Sequence, residues 1–406
     1  MHQFMFSTLA AGTLLLAAAA FSVAQPPAKI NPDAAALAKG NNAFAGNLYG
    51  QLSSKDGNLF FSPYSISNAL AMTYAGAKGK TASDMAATLQ FPFDENRLHA
   101  AFADMIKEIN QPGKKRKYQL SVANRIWGQK DYGFLPNFLE LSKTAYGAGL
   151  QELDFQKATE QSRKTINDWV AKETQDKIKD LLPEGSLAND TRMVLTNAIY
   201  FKANWAEAFN AKATKKEDFK VGADKKIKVD MMKQTEMMSL LQNDEFQLLE
   251  IPYEGRELSM LVLLPRKADG LAAVEKQLTA DNLQEWVGKM KRYMVTLSLP
   301  KFKFTTEIKL KDTLTKMGMG LAFTEKADFS GMASREKLFI DAVIHKAFVA
   351  VDEKGTEAAA ATAVTIRPTS APVGQAATFR ADHPFVFVIR DNRTGSVLFM
   401  GRVVNP

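Results

Sequence analysis

Small uncharged residues occupy every second position of one segment near the C-terminus. In a β-strand, alternate residues point to the same side, so this small face could slide onto a packed core without burying a charge. Gly355 offers a hinge at the start, and the charge of Glu357 falls on the opposite face. Taken alone, an Ala-rich linker or a piece of helix is an equal alternative. The residues of the small face are Thr356, Ala358, Ala360, Thr362 and Val364.

No catalytic or nucleotide-binding motif accompanies that segment. Gly79-Lys80-Thr81 is similar to the end of a phosphate-binding loop, but Tyr74 stands where that loop requires glycine. His345 could serve a serine triad, yet it lies in an apolar run, which favours a buried, hydrogen-bonded histidine. Four histidines and no cysteine leave few metal ligands and no thiol nucleophile. We therefore expect a protein that is not an enzyme and has no cofactor or metal.

The composition is that of an ordinary globular protein. Of the 406 residues, 46% are hydrophobic and 24% are charged, which excludes a disordered chain and permits a large core. The net charge of +8 is modest and spread out, so we expect no nucleic-acid partner. The densest basic run, Lys114 to Lys117, is typical of a solvated loop, with polyanion binding as the weaker alternative.

The beginning of the chain has the pattern of a secretory signal. Residues 1–24 contain no Asp, Glu, Lys or Arg, and Leu14 to Phe21 form a short apolar stretch before the small residues Ser22-Val23-Ala24. A membrane anchor is the alternative, but spanning needs ~18 or more apolar residues, and no later stretch reaches that length either. We expect cleavage before Gln25, secretion or periplasmic export, and no membrane span after processing.

The remainder predicts one large α+β domain without repeats or a linker. Apolar residues at helical spacing predict an amphipathic helix over 160–182, ended by Pro183 and Gly185. The second half is mostly strands, with a hairpin turn at Glu254-Gly255-Arg256. Alternation changes parity after Pro300, which predicts a kink or bulge there. A further strand is predicted over 338–351, and the apolar runs 385–389 and 397–400 predict a second hairpin around the turn residues 391–395.

The chain resembles the serpin family of serine protease inhibitors from about Ala34 to Pro406. Several separate motifs occur in the family's order, which makes the resemblance specific. They are the segment Asn58 to Ile66, the segment Asn197 to Trp205, Leu299-Pro300-Lys301-Phe302, the segment Asp328 to Met332, His345-Lys346-Ala347, the segment His383 to Phe387 and the ending Phe399 to Pro406.

The resemblance implies a single-domain serpin fold with three β-sheets, eight to nine helices and an exposed reactive-centre loop. The domain would cover 25–406 after a signal peptide at 1–24, with the loop at about 353–380, in a bacterial-type secreted member. It implies a metastable, irreversible suicide-substrate inhibitor of serine proteases, whose cleaved loop inserts into the large sheet. A non-inhibitory serpin with a binding or chaperone role, or an inhibitor of cysteine proteases, is the alternative.

The resemblance also assigns roles to three groups of residues. The hinge group forms the first part of the loop, and the breach group lies where loop insertion into the sheet begins. The shutter group is a polar cluster beneath the place where the strands of the sheet must separate. The hinge group is Glu353, Gly355, Thr356, Ala358, Ala360 and Thr362; the breach group is Trp205, Lys301 and Glu353; the shutter group is Ser62, Ser65, Asn197 and His345.

The family's usual spacing from the hinge glutamate, counted from Glu353, places the scissile bond at Thr369–Ser370. Arg367 is a tempting alternative, but Pro368 follows it and obstructs attack on that bond, so Ile366–Arg367 is the other possibility. The loop is a few residues longer than is usual in the family. A small residue at the cleaved bond favours elastase-like or subtilisin-like serine proteases as partners of a monomeric inhibitor.

Overall fold

The computed structural model describes residues 31–110, 116–222, 225–333, 338–357 and 375–406. Three predictions lie outside these residues: the signal peptide, the second half of the hinge group and the scissile bond. The predicted residues concerned are Ala358, Ala360, Thr362, Ile366, Arg367, Thr369 and Ser370.

The described residues form nine α-helices, most of them in the first half of the chain. The first begins at Pro32 because the Asn31 side chain accepts a hydrogen bond from the Asp33 N–H and proline is pre-set for a first helical turn. The helices are α1 (Pro32–Leu52), α2 (Pro63–Tyr74), α3 (Gly79–Leu89), α4 (Glu95–Asn110), α5 (Pro136–Tyr146), α6 (Thr159–Glu173), α7 (Leu271–Gln277), α8 (Ala280–Gly288) and α9 (Lys311–Leu314).

Fifteen strands of the described residues pair into two hydrogen-bonded systems. The strands are β1 (Leu59–Phe61), β2 (Tyr118–Gln129), β3 (Gln151–Leu153), β4 (Met193–Asn204), β5 (Lys215–Lys220), β6 (Lys226–Gln242), β7 (Phe246–Pro252), β8 (Leu258–Pro265), β9 (Lys291–Pro300), β10 (Phe302–Lys309), β11 (Ala342–Val351), β12 (Gly355–Thr356), β13 (Ala376–Arg380), β14 (Phe385–Asp391) and β15 (Val397–Val403).

The six-stranded sheet has the order β10-β11-β12-β4-β2-β3 and is covered on both faces. Side chains alternate along β11, so Ile344 and Phe348 join a cluster with the buried face of α6, whereas Ala347 and Val349 face the main core. Strands β11 and β4 run parallel and pair directly from Ala342↔Val194 to Phe348↔Tyr200. This ladder is the seam into which a further strand would have to enter.

The nine-stranded system corresponds to the other two predicted sheets, which the 17-residue strand β6 joins. The first part of β6 pairs with β5, its later part with β9, and its end with β7. The antiparallel hairpins β7–β8 and β14–β15 confirm the two predicted from apolar runs around turn residues. The fold is therefore the predicted α+β arrangement.

The predicted amphipathic helix over 160–182 is wrong in its second half. Helix α6 ends at Glu173, because the Thr174 hydroxyl bonds to the Val170 carbonyl and accepts the Ile178 N–H, while Gln175 adopts a left-handed conformation with φ 52°. Apolar residues continue to be buried beyond this point, which is why their spacing suggested a longer helix. The parity change after Pro300 marks the passage from β9 in one sheet to β10 in the other.

Candidate functional site

The hinge residues Gly355 and Thr356 form a two-residue strand between β11 and β4. Thr356 pairs with Val351 on one side and Ala203 on the other, and Gly355 pairs with Asn204. The Thr356 side chain is 1% exposed, and its hydroxyl lies 2.7 Å from the Tyr253 hydroxyl. The sheet is therefore already parted at this end, and its first inserted side chain is buried and hydrogen-bonded.

Gly355 is required here by close approach of the backbones. A Cβ on this residue would lie 2.0 Å from the Ala203 carbonyl oxygen, and backbone atoms cannot give way as a flexible side chain does. The sequence suggested a glycine hinge for its freedom of rotation. The structure adds that no side chain larger than that of glycine fits at this position, because the backbone of β12 lies against the backbone of β4 here.

The breach residue Trp205 fastens the chain between β11 and β12. Its indole N–H donates to the Asp352 carbonyl at 3.0 Å and its backbone N–H to the Lys354 carbonyl at 2.8 Å. Its ring stacks on Tyr253 with centroids 4.7 Å apart, beneath the hydroxyl that meets Thr356. The turn that carries the hinge is therefore held at two backbone carbonyls by one residue, through its side chain and its backbone N–H.

Lys301 and Glu353, the other two breach residues, form an ion pair with Nζ and Oε2 2.9 Å apart. The second carboxylate oxygen accepts a hydrogen bond from the Thr214 hydroxyl at 2.8 Å. Partial burial works to raise the pKa of Glu353, but the hydrogen bonds from Lys301 and Thr214 hold it below its usual value. Lys301 sits where β9 passes into β10, so the pair connects the junction of two sheets to the base of the loop.

The shutter residue His345 is fully buried on β11 and bridges two other elements. Its Nε2 accepts the Ser62 N–H at 3.1 Å, so the proton is on Nδ1, which donates to the Asn197 side-chain oxygen. Burial lowers the pKa of His345 to about 3, which keeps the ring neutral. Ser62 caps α2 and its hydroxyl donates to the Leu398 carbonyl at 2.6 Å, so this hydroxyl is not aligned with His345 as in a catalytic triad.

Asn124 completes the shutter cluster, and sequence reasoning missed it. The Ser65 hydroxyl donates to its side-chain oxygen at 3.1 Å, and its own amide donates to the Ser65 carbonyl at 3.0 Å. Asn197 donates to the same hydroxyl at 2.8 Å. Asn124, Asn197 and His345 are register partners across β2, β4 and β11. The one signal in the sequence was that Asn124, like Asn197, is an asparagine in a largely apolar segment. The strand register that places the two side by side cannot be read from the sequence.

Two of the four residues of the basic run, Lys114 to Lys117, form ion pairs with carboxylates of the protein itself. Arg116 lies 3.3 Å from Glu257 and Lys117 lies 2.8 Å from Glu254, which places both against the β7–β8 hairpin. Lys114 and Lys115 fall outside the described residues. Across the part of the chain that the structure describes, no group of three or more His, Cys, Asp or Glu side chains could hold a metal ion. No helix within those same ranges is long and apolar enough to cross a membrane.

The chain is similar to known proteins over nearly its whole length. A family model described as serpin (serine protease inhibitor) matches residues 39–406. Serpin B4 of Homo sapiens is 41% identical over 390 residues, which cover 91% of this chain and 99% of that protein. Leukocyte elastase inhibitor of Equus caballus is 42% identical over 381 residues, with the same coverage of 91% and 99%. The structure of human thyroxine-binding globulin superposes with a TM-score of 0.82 at 31% identity, covering 92% of this chain and 99% of that one.

Proposed function

The chain belongs to the serpin family, and from that premise we propose that it inhibits serine proteases by a suicide-substrate mechanism. The protease serine hydroxyl adds to the carbonyl carbon of a loop peptide bond, the C–N bond breaks, and the proton passes to the leaving amine. The protease then remains as an ester of the loop. Insertion of the cleaved loop into the six-stranded sheet would carry this ester away before water can hydrolyse it.

The observation that carries this proposal is the position of β12. Thr356 already pairs with both β11 and β4, and Gly355 pairs with β4, in the antiparallel sense that a continuing strand would keep. Continued insertion would replace the β11–β4 ladder, pair by pair, from Phe348↔Tyr200 downward. A strand of ~15 residues at ~3.3 Å each would reach ~50 Å, about the length of a small domain.

A non-inhibitory binding role is the second candidate, and one comparison favours it. Human thyroxine-binding globulin, which shares the fold, was solved in complex with thyroxine. The two roles differ in what the hinge must do, because a carrier has no need to bury successive loop residues. The small side chains at every second position after Gly355 favour the inhibitory role. Inhibition of cysteine proteases is compatible with the same hinge. Incubation with both serine and cysteine proteases, described below, distinguishes the two activities.

For the scissile bond we propose Thr369–Ser370, with Ile366–Arg367 as the alternative. The small residue before the bond suits elastase-like or subtilisin-like proteases, and a relative named leukocyte elastase inhibitor supports the first of these. Mass spectrometry of the C-terminal peptide released on complex formation tests the assignment. A fragment that begins at Ser370 supports it, one that begins at Arg367 supports the alternative, and one that begins at Ala371 refutes both.

We also propose that residues 1–24 direct export and are removed, giving a monomeric, bacterial-type secreted protein, extracellular or periplasmic. The charge-free apolar leader and the small residues before Gln25 support this. Expression of the full chain in a bacterium, followed by N-terminal sequencing of the exported form, should give Gln25 as the first residue. An intact Met1 in a cell-retained product would contradict the proposal.

The experiment for the proposed function is incubation with a panel of serine and cysteine proteases. We expect an adduct with at least one elastase-like or subtilisin-like enzyme that survives boiling in detergent. Protein cleaved in the loop should also melt at a markedly higher temperature than intact protein, because insertion completes the sheet. Turnover of the loop by every protease without an adduct, with equal melting temperatures before and after cleavage, would favour the binding role.

A further inference from the structure

A pocket of about 830 Å³ opens on one face of the six-stranded sheet, near the breach. Helix α6 covers the same face further from the breach. Its floor is made by side chains two apart on neighbouring strands: Tyr200 and Lys202 on β4, and Phe348 and Ala350 on β11. A pocket of this size with an apolar floor is suited to a small organic molecule. No step of the proposed inhibitory mechanism requires a molecule bound there.

The pocket has two lysines that lack a carboxylate partner among the described residues. Lys301 and Lys177 also line it, but each is already paired with a carboxylate, Glu353 and Glu357 respectively. In the described ranges, Lys202 and Lys303 form no such ion pair, and the Lys303 ammonium lies 5.7 Å from the centre of the Phe348 ring. An anionic group could be held between these two side chains above an aromatic surface.

The pocket also presents a buried acceptor with no partner. Glu357 Oε1 meets Lys177, but Oε2 is buried and accepts no hydrogen bond in the described part of the structure. A buried carboxylate oxygen without a donor is costly, so a ligand N–H or O–H at this position would be favourable. The lining thus combines an aromatic floor, two lysines without a carboxylate partner among the described residues and one acceptor oxygen without a donor, and Asp352 and Pro406 also line the pocket.

The place of the pocket connects it to loop insertion. Phe348 and Tyr200 are the pair at the end of the β11–β4 ladder that β12 has already reached. They are the next pair that must separate if the hinge is to advance, and both lie in the pocket floor. Glu357, the residue after the inserted pair, lines the pocket wall.

We propose that this pocket binds an aromatic anion carrying a hydrogen-bond donor, and that the bound molecule slows loop insertion by joining β4 to β11. The regulatory half rests on the proposed inhibitory function, whereas the binding half does not. A slower insertion leaves more time for the ester to be hydrolysed, so the bound form should behave more as a substrate. The stoichiometry of inhibition, in moles of inhibitor consumed per mole of protease, should rise.

The test uses the full chain and anilinonaphthalene sulfonate, which has an aromatic body, a sulfonate and an N–H. We expect fluorescence to saturate at one site, and the dissociation constant to rise roughly tenfold or more in Lys202→Ala/Lys303→Ala, as loss of charge-assisted contacts predicts. The matched control is Lys212→Ala/Lys226→Ala, which removes two exposed lysines elsewhere and should leave binding unchanged. Phenylnaphthylamine, the same rings without sulfonate, should bind much more weakly.

Equal loss of binding in both double variants, or none in either, would overturn the assignment of the pocket. The second readout is the stoichiometry of inhibition, which the probe should raise in the parent chain and in the control but not in Lys202→Ala/Lys303→Ala. Binding at this pocket with an unchanged stoichiometry would overturn the regulatory half. A chain that binds the probe as expected but inhibits no protease would show that the proposed function had failed while the pocket assignment stood.

Discussion

The breach and the shutter bridge the same two strands, but only at the breach are those strands apart. Near Trp205 the backbone of β12 lies between β11 and β4, and Thr356 is buried there. At the shutter, His345 and Asn197 are direct register partners and share a hydrogen bond. The difference indicates that the sheet opens from one end, and that the buried polar cluster lies further along the closed seam, beyond the Phe348↔Tyr200 pair.

The breach is the end where a buried charge should have the largest effect. Thr356→Arg would place a charge at a position that is 1% exposed, and an unpaired buried charge costs about 3–5 kcal/mol. We expect the hinge to be expelled rather than the protein to unfold, since β12 is only two residues long. The variant should be cleaved as a substrate, with little or no detergent-stable adduct on a gel.

Glu357→Gln is the matched control for that variant, because it alters the next residue, whose side chain faces Lys177 rather than the main core. It should retain adduct formation. Full inhibition by Thr356→Arg would show that burial of this side chain in the sheet is not required for inhibition.

The shutter should be the acid-sensitive region. The pKa of His345 is about 3 in the folded chain, below its ordinary 6.5, so the unfolded chain takes up the proton first. The stability that the neutral ring contributes is therefore complete above pH 6.5 and is lost progressively as the pH falls toward 3. At a pH about two units below the ordinary pKa of histidine, the free energy of unfolding should be lower by roughly 2–3 kcal/mol than at neutral pH.

Urea unfolding of the parent chain and His345→Gln at neutral and acidic pH measures this effect. The variant should be less stable at neutral pH but lose less stability on acidification. His99 is also buried, with its pKa lowered to about 4, and adds the same acid-dependent loss to both proteins, so it cancels in the comparison. Parallel pH profiles would mean that His345 is not the group that titrates.

The family resemblance assigned the breach and shutter groups along the seam but did not show how they are joined. Turn residues between apolar runs predicted the β7–β8 hairpin correctly, because such signals are local. The prediction of a helix over 160–182 was wrong at its end, because apolar residues continue to be buried after Thr174 has ended the helical hydrogen bonds. Asn124 was missed because its place beside Asn197 depends on strand register, which the sequence pattern does not contain.

The smallest expected effect is that of the Lys301–Glu353 pair. Lys301 is 37% exposed, so solvent screens the attraction, and pairs of this kind are worth at most about 1 kcal/mol. A double-mutant cycle with Lys301→Ala and Glu353→Ala, read by urea unfolding, should give a coupling energy within that limit. A coupling well above it would make the pair a main restraint on the hinge and would place it above the shutter in expected effect.

The central claim, that inhibition requires β11 and β4 to part along their whole length, can be tested with a reversible lock. The chain contains no cysteine, so Val194→Cys/Ala342→Cys introduces one possible disulfide between register partners at the far end of the ladder. The oxidised variant should be cleaved without forming a stable adduct, and reduction should restore inhibition, while each single-cysteine variant stays inhibitory throughout. Equal adduct formation by the oxidised and reduced double variant would contradict the account.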